Sequence, residues 1–266
     1  MSLIYEDKTE LLRRCFFDVH NEVGLGRREE AYHKACRLCF QEHGIPFASR
    51  LPHPLLLDNQ EAYVLVPDFV VWDQITVELK ALSREVGQAE FVQIFDYLKC
   101  RQDRLGLLVN FGLDRVQVER IVFDPPVTAF VQDWQYWTGT IQAEDRAVGL
   151  AVRDALCDVY AAHGTGYGEE VLGRLIQCAI RNRGLRMTVS PVSKAYYRSV
   201  VVDESPIDGI LIEDRILLVA TALLDENQFA VNRGLSYLKA LGLGWGIAVD
   251  FGKRGVQMSG LRRQSR

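Results

Sequence analysis

Three side chains in the segment VPDFVVWDQITVELKAL could together support hydrolytic chemistry: Asp68, Glu78 and Lys80. Glu78 and Lys80 are two residues apart on a predicted strand, so they project from one face, flanked by apolar Val77 and Leu79. A turn between two predicted strands would bring Asp68 alongside them. Carboxylates are ligands that Mg²⁺ or Mn²⁺ prefers, and a neighbouring ammonium suits a phosphate. The spacing therefore predicts a divalent-metal site, with a Glu78–Lys80 ion pair on an edge strand as the structural alternative.

Length and composition limit the class of protein. The 266 residues suffice for about two domains, and 48% hydrophobic with 25% charged residues is typical of globular proteins. No apolar run approaches the ~20 residues of a membrane span, and the charged N-terminal segment lacks the apolar core of a signal peptide. We therefore expect a cytoplasmic protein with no membrane partner. A net charge of −4 argues against strong non-specific binding to nucleic acid, without excluding a local basic patch.

The six cysteines fit a reducing compartment. Cys36 and Cys39 form a lone C-x-x-C pair, with no second pair or Cys/His cluster to complete a zinc site. We interpret them as two thiols on a helix.

The chain is a tandem duplication, because its halves align without a gap at an offset of 140 residues. The matched segments include LGRREEAY with TGYGEEVL, DYLK with SYLK, and GLLVNFG with GIAVDFG. We predict a first domain at 1–125, an aromatic connector at 126–144 that packs against one or both copies, and a second domain at 145–266. A tandem pair can replace a homodimer, so we expect the halves to form an intramolecular pseudo-dimer.

Apolar periodicity predicts an α/β fold with a mixed sheet, in which each copy has the order α-α-β-β-β-α-β-β. In the first copy the predicted helices are 5–22, 28–43 and 86–101, and the predicted strands are 46–57, 61–72, 75–82, 104–111 and 116–123.

The first copy resembles a known group of enzymes. P-D-x9-E-x-K, read at Pro67, Asp68, Glu78 and Lys80, resembles the signature of the PD-(D/E)XK nuclease superfamily. Three further motifs strengthen the resemblance. G-x-x-E-x-x-Y at Gly26, Glu29 and Tyr32 is typical of the GxxExxY family, and so is NFG at 110–112. Q-x-x-x-Y at Gln93 and Tyr97 resembles the motif of RecB-like and lambda-exonuclease-like nucleases. The resemblance covers about residues 10–123.

This resemblance implies two tandem restriction-endonuclease-like domains and cleavage of nucleic acid, with DNA favoured, that depends on Mg²⁺ or Mn²⁺. It implies metal ligands at Asp68, Glu78 and Glu29, a catalytic lysine at Lys80, and substrate-binding or supporting roles for Gln93, Tyr97 and Tyr32. His20 stands where many relatives have a histidine; a structural role is the alternative to a ligand.

The second copy departs from the pattern. In the gap-free alignment, Asp208 and Glu169 match Asp68 and Glu29, whereas Leu218, Ala220, Arg233 and Leu172 replace Glu78, Lys80, Gln93 and Tyr32. Apolar side chains cannot hold a hard cation, so we predict an inactive second copy. Two other functions stay open at this point: a non-catalytic nucleic-acid-binding or scaffold protein, and another metal-dependent phosphodiester or nucleotide hydrolase.

Overall fold

The computed structural model describes residues 4–125, 128–224 and 226–263. The chain divides into two compact units, Met1–Leu55 with Val64–Pro125 and Leu56–Tyr63 with Pro126–Arg266. Within the described ranges, no helix is both long and apolar enough to cross a membrane.

The first copy follows the predicted order of elements, with more strands. Its helices are α1 (Glu6–Val23), α2 (Glu29–Glu42) and α3 (Gln88–Arg101), and its strands are β1 (Phe47–Ser49), β2 (His53–Leu57), β3 (Gln60–Leu65), β4 (Phe69–Val71), β5 (Ile75–Lys80), β6 (Leu105–Asn110) and β7 (Gln117–Val122).

The two longest predicted strands are wrong in extent, because each is broken in two. Arg50 adopts φ +50 and Pro52 follows it, which separates β1 from β2. Pro67 lies between β3 and β4 in the same way. As a result β2 and β3 pair as a separate hairpin, and β1 and β4 join the main sheet.

The main sheet of the first unit has the order β1-β4-β5-β6-β7. Strands β5 and β6 are parallel, and α3 forms the connection between them. One face carries Val77 and Leu79, which share a buried core with residues of α1 and α2 such as Phe16. The other face carries Leu108, which packs against Ile94 of α3. Because side chains alternate along a strand, Glu78 and Lys80 project on the side opposite Val77 and Leu79.

The NFG segment ties the end of β6 to the loop after β5. The Asn110 carboxamide accepts from the N–H groups of Leu82 (2.8 Å) and Gly112 (3.1 Å) and donates to the carbonyls of Leu82 (3.2 Å) and Arg84 (2.8 Å). Phe111 stacks on Tyr32 with ring centroids 4.7 Å apart. A Cβ at Gly112 would lie 2.3 Å from the Leu82 carbonyl oxygen, so only glycine permits this approach.

The second unit repeats this plan. Its helices are α4 (Ala143–His163), α5 (Glu169–Asn182) and α6 (Asn227–Leu241), and its strands are β8 (Ala129–Asp133), β9 (Met187–Val189), β10 (Val192–Tyr197), β11 (Val200–Pro206), β12 (Ile210–Ile212), β13 (Ile216–Ala222), β14 (Trp245–Phe251) and β15 (Gly255–Arg262). Its main sheet has the order β8-β15-β14-β13-β12-β9, which is the order of the first sheet with β8 added at one edge. The predicted mixed α/β fold is confirmed in both copies.

The described part of the aromatic connector belongs to the second unit. Strand β8 runs parallel to β15, and the Trp137 indole donates to the Leu261 carbonyl at 3.0 Å. Trp137 is buried over Gly149, where a Cβ would come within 2.2 Å of its ring. These contacts make the connector an edge of the second sheet.

The close contact of Gly112 with Leu82 predicts that adding one methyl group at Gly112 lowers the stability of the fold. We expect Gly112→Ala to lower the free energy of unfolding by about 1–3 kcal/mol, because the Cβ must displace backbone atoms of Leu82. Gly173→Ala is the matched control, since Gly173 lies within α5 with open space around its Cβ position, and alanine there should stabilise by roughly 0.5–1 kcal/mol. Urea denaturation followed by circular dichroism measures both; equal stability of Gly112→Ala and the wild type would contradict the contact.

Candidate active site

Asp68 and Glu78 lie side by side across the β4–β5 hairpin. The register pairs Phe69 with Val77, which sets Asp68 opposite Glu78. Three residues connect the paired Val71 and Ile75; Trp72 and Asp73 both have positive φ, and the Gln74 N–H donates to the Val71 carbonyl at 3.1 Å, which closes a tight turn. The hairpin expected from the sequence therefore forms and brings the two acids together.

Backbone amides hold both carboxylates in place. One Asp68 oxygen, Oδ2, accepts from the Leu79 N–H at 2.9 Å. The Asp68 N–H points to Glu78 Oε2 at 3.5 Å. Both acids are almost fully buried, Asp68 at 6% and Glu78 at 4% exposure. Two carboxylates withdrawn from water and fixed beside each other are costly unless a cation accompanies them.

The pKa of Glu78 is shifted by the burial of these two carboxylates. Burial and then the nearby Asp68 raise the pKa of Glu78 to about 7, although Lys80 lowers it. At neutral pH the carboxyl group is therefore poised between its protonated and ionised forms. A carboxyl group in this state gains strongly from a divalent cation, which favours the ionised form.

Lys80 is the cation that the protein itself supplies. Its Nζ donates to Glu78 Oε1 at 2.7 Å, and its side chain is only 15% exposed. Burial lowers the pKa of Lys80, but Glu78, Glu29 and Asp68 raise it by more, so the net shift is upward. The alternative of a surface ion pair on an edge strand is wrong, because β5 lies inside the sheet between β4 and β6.

Glu29 begins α2 and faces the same cluster. Burial raises the pKa of Glu29, Lys80 lowers it and Asp68 raises it, and the net shift is upward. The carboxylate oxygens of Glu29, Asp68 and Glu78 do not all lie within 4.8 Å of one another. Glu29 therefore lies near Asp68 and Glu78, but the three carboxylates are too far apart for all of them to contact one ion directly in this arrangement.

The donor set fits a hard divalent cation. Every candidate ligand atom is a carboxylate oxygen, and two of the groups are buried with a charge that needs compensation. Mg²⁺ and Mn²⁺ prefer such oxygens, with water completing the octahedron, so one or two direct carboxylate ligands suffice. Asp68 and Glu78 would hold the ion, and Glu29 would reach it through water.

The remaining residues of the predicted site support it. Tyr32 is fully buried, and its hydroxyl donates to the Gly24 carbonyl at 2.8 Å, so it fixes the entry to α2. Gln93 donates to the Tyr97 hydroxyl at 2.8 Å on α3, as their helical spacing predicts. His20 lies 2.9 Å from the Leu113 carbonyl, a structural contact.

Two residues of the cluster were missed in the sequence. His33 is buried, stacks on Phe69, and places Nε2 4.0 Å from Asp68 Oδ1. Arg50 directs its Nε to the same oxygen at 3.4 Å. His33 follows Glu29 by four residues, so helical spacing could have indicated it; Arg50 has no local signal, because only the β1–β4 pairing brings it to Asp68.

The C-x-x-C pair also has unpredicted neighbours. Cys39 lies with Cys15 and His43, with their ligand atoms within 4.8 Å of one another. Burial raises the pKa values of both thiols, that of Cys15 to about 12, and the His43 Nδ1 lies 2.9 Å from the Cys39 carbonyl. These features are those of protonated thiols packed between α1 and α2.

Comparison with protein families agrees with this geometry. The family model described as the PD-(D/E)XK nuclease superfamily matches residues 6–121 and again residues 146–264. The chain belongs to the PD-(D/E)XK nuclease superfamily. No curated protein and no solved structure matches it significantly.

The strand register of the second unit corrects the gap-free alignment of the two halves. In β11 the register shifts by one residue between Ala195 and Tyr196, where Val202 is an extra, bulged residue. The offset of 140 is therefore wrong for the following segment: Ser190 donates to the Gly209 carbonyl as Arg50 donates to that of Asp68. The offset there is 141, until the loop before α6 restores 140.

The corrected register leaves no charged group at the positions of Asp68, Glu78 and Lys80 in the second copy, whereas Glu169 still matches Glu29. Gly209, Val219 and Thr221 occupy the positions of Asp68, Glu78 and Lys80, since Thr221 pairs with Asp250 as Lys80 pairs with Asn110. The displaced Asp208 is exposed and forms an ion pair with Arg233 at 2.6 Å. These replacements support the prediction of an inactive second copy more strongly than the uncorrected alignment did.

The raised pKa of Glu78 predicts how stability changes with pH. In metal-free protein the folded state keeps the Glu78 proton up to about pH 7, whereas the unfolded chain releases it near 4.5. Stability should therefore fall as pH rises through this window, by about 3 kcal/mol at most.

We expect Glu78→Gln to flatten this fall and to be more stable than the wild type at pH 8. Urea denaturation in EDTA at pH 5 and pH 8 measures the difference, with the exposed Glu85→Gln as the control of equal charge. The same pH dependence in Glu78→Gln and Glu85→Gln would show that Glu78 titrates normally.

Proposed function

We propose that this chain is a Mg²⁺- or Mn²⁺-dependent nuclease that cleaves phosphodiester bonds of nucleic acid, with DNA favoured, using the site of the first copy. The observation that carries the proposal is the pair of buried, adjacent carboxylates with Lys80 bonded to one of them. Membership of a superfamily that generally comprises metal-dependent nucleases supports it. The motifs G-x-x-E-x-x-Y and NFG support placement in the GxxExxY family.

Each residue has a distinct task in this proposal. Asp68 and Glu78 would hold the divalent ion, which supplies polarisation of the scissile phosphate and a lowered pKa for water. Glu29 would orient water at the same site. Without metal, Glu78, Glu29 and Asp68 raise the pKa of Lys80 more than burial lowers it. As a cation, Lys80 would offset negative charge on the phosphate oxygens and orient water.

The second copy would serve as an inactive structural or substrate-binding partner. Residues 56–63 of the first copy belong to the second compact unit. There His163 lies 2.9 Å from the Leu56 carbonyl and Asn182 donates to the Leu57 carbonyl at 3.3 Å. We propose that the two halves form an intramolecular pseudo-dimer, since a tandem pair can replace a homodimer. We also propose a cytoplasmic location, since all six cysteines lie in the described residues and are unpaired.

We expect Lys80→Ala to lower cleavage of DNA at least about 100-fold in Mg²⁺ or Mn²⁺ and to leave the circular dichroism spectrum unchanged. Lys239→Ala removes the same charge from an exposed position on α6 and should keep the wild-type rate. Labelled single- and double-stranded DNA and RNA, each with metal or EDTA, provide the assay.

Two results would contradict the proposal. Full activity of Lys80→Ala would show that the site is assigned wrongly. Binding of nucleic acid by the wild type without metal-dependent cleavage of any substrate would favour the non-catalytic alternative.

Metal binding should be confined to the first copy. Calorimetric titration with Mn²⁺ should lose its signal in Asp68→Ala, which removes a ligand, and keep it in Asp208→Ala, which removes an exposed carboxylate paired with Arg233. A similar loss of heat in both variants would mean that the second copy also binds the ion.

A further inference from the structure

The guanidinium of Arg50 links two acids at the edge of the site. Its Nη1 contacts Glu30 Oε2 at 2.8 Å and its Nε lies 3.4 Å from Asp68 Oδ1. The Arg50 N–H also donates to the Asp68 carbonyl at 3.0 Å. This bond holds the residue in a conformation with φ +50, which is unfavourable for arginine. The backbone of Arg50 is thus fixed to the residue that its side chain contacts.

Arg50 contacts the Asp68 oxygen that the Leu79 N–H does not bind. Oδ2 accepts from the Leu79 N–H, whereas Oδ1 faces Arg50 Nε at 3.4 Å and His33 Nε2 at 4.0 Å. A divalent ion bound by Asp68 would repel the guanidinium, because both are cations beside one carboxylate. Metal binding therefore favours release of Arg50 from Asp68.

A released Arg50 would remain at the site. Its side chain is 43% exposed, in contrast to the buried Asp68, and Glu30 offers a second anchor in the first turn of α2. The planar guanidinium presents donors in a fork that matches two oxygens of a phosphate. Release from Asp68 would free the Nε donor, while the Nη1 contact with Glu30 would keep the side chain at the site.

We propose that Arg50 binds a backbone phosphate of the nucleic-acid substrate and that binding of the divalent metal releases it from Asp68 for this purpose. This inference rests on the proposed function. It makes metal and nucleic acid bind cooperatively, because each favours the conformation in which Arg50 has left Asp68. In the second copy Ser190 stands in the place of Arg50, so no such residue exists there.

The test measures binding in the Lys80→Ala background, so that cleavage does not interfere. Arg50→Gln is compared with Arg37→Gln, which removes the same charge from an exposed position about two turns along α2 from Glu29. The probes are a short fluorescent DNA duplex and single strand, titrated across a range of salt concentrations with Mn²⁺ or EDTA. Mn²⁺ alone is titrated by calorimetry.

Two opposite effects are expected of Arg50→Gln. DNA affinity in Mn²⁺ should fall about tenfold, with the salt slope reduced by about 1, because one phosphate contact is lost. Affinity for Mn²⁺ without DNA should rise about threefold or more, because the competing cation is gone. Arg37→Gln should change neither by a comparable factor. A purely structural role for Arg50 would instead weaken Mn²⁺ binding by disordering Asp68.

Unchanged DNA affinity in Arg50→Gln, or weaker binding of Mn²⁺ alone, overturns the inference. If Arg50→Gln fails to fold, Arg50→Lys tests the inference instead, since it keeps the positive charge and lacks the planar guanidinium. The DNA affinity of Arg50→Lys should fall; the same DNA affinity as the wild type overturns the inference. If the wild type cleaves DNA but Arg50→Gln does not change DNA affinity, this inference is wrong and the proposed nuclease activity stands. If DNA binding depends on Arg50 and on the metal but no substrate is cleaved, the proposed nuclease activity is wrong and this inference stands.

Discussion

The close approach of Asp68 and Glu78 inside the sheet is the constraint around which the first unit is built. Burial first and the nearby Asp68 second raise the pKa of Glu78 to about 7, so the fold does not fully compensate these two carboxylates. Lys80 and Arg50 offset part of the charge from opposite sides, one on Glu78 and one on Asp68. The protein thus keeps an arrangement of buried charges that lowers its stability, as functional sites commonly do.

Rigid contacts around the site make this arrangement possible. The β4–β5 turn fixes the register, and the Leu79 amide fixes one oxygen of Asp68. Asn110 holds the loop that follows Lys80 through four hydrogen bonds, and Gly112 lets the two chain segments touch. None of these groups can perform chemistry on a phosphate. Their effect is to hold the β4–β5 hairpin, which carries both carboxylates, and the loop after Lys80 in one arrangement.

Residue spacing predicted what depends on local periodicity. It indicated the helices, the pairing of Asp68 with Glu78, and the shared face of Glu78 and Lys80, all of which follow from turns and alternation within about fifteen residues. It missed Arg50, because a pairing between strands twenty residues apart decides its position. It also missed the breaks between β1 and β2 and between β3 and β4, although Pro52 and Pro67 mark them; only the positive φ of Arg50 has no signal in the sequence. The metal ligands and substrate contacts remain predictions.

The second unit shows how small a change removes such a site. A single bulged residue, Val202, moves the following strand by one position, and a one-residue shift turns every side chain to the other face of a sheet. Asp208 then leaves the interior and pairs with Arg233 at the surface, while glycine takes the buried position. Without the first carboxylate there is no charge for a second carboxylate, a lysine or an arginine to balance. Apolar replacements such as Val219 therefore become favourable, because they bury hydrocarbon where a charge would otherwise lose its hydration. The positions of Asp68, Glu78, Lys80 and Arg50 are thus uncharged together in the second copy, whereas Glu169 keeps the position of Glu29.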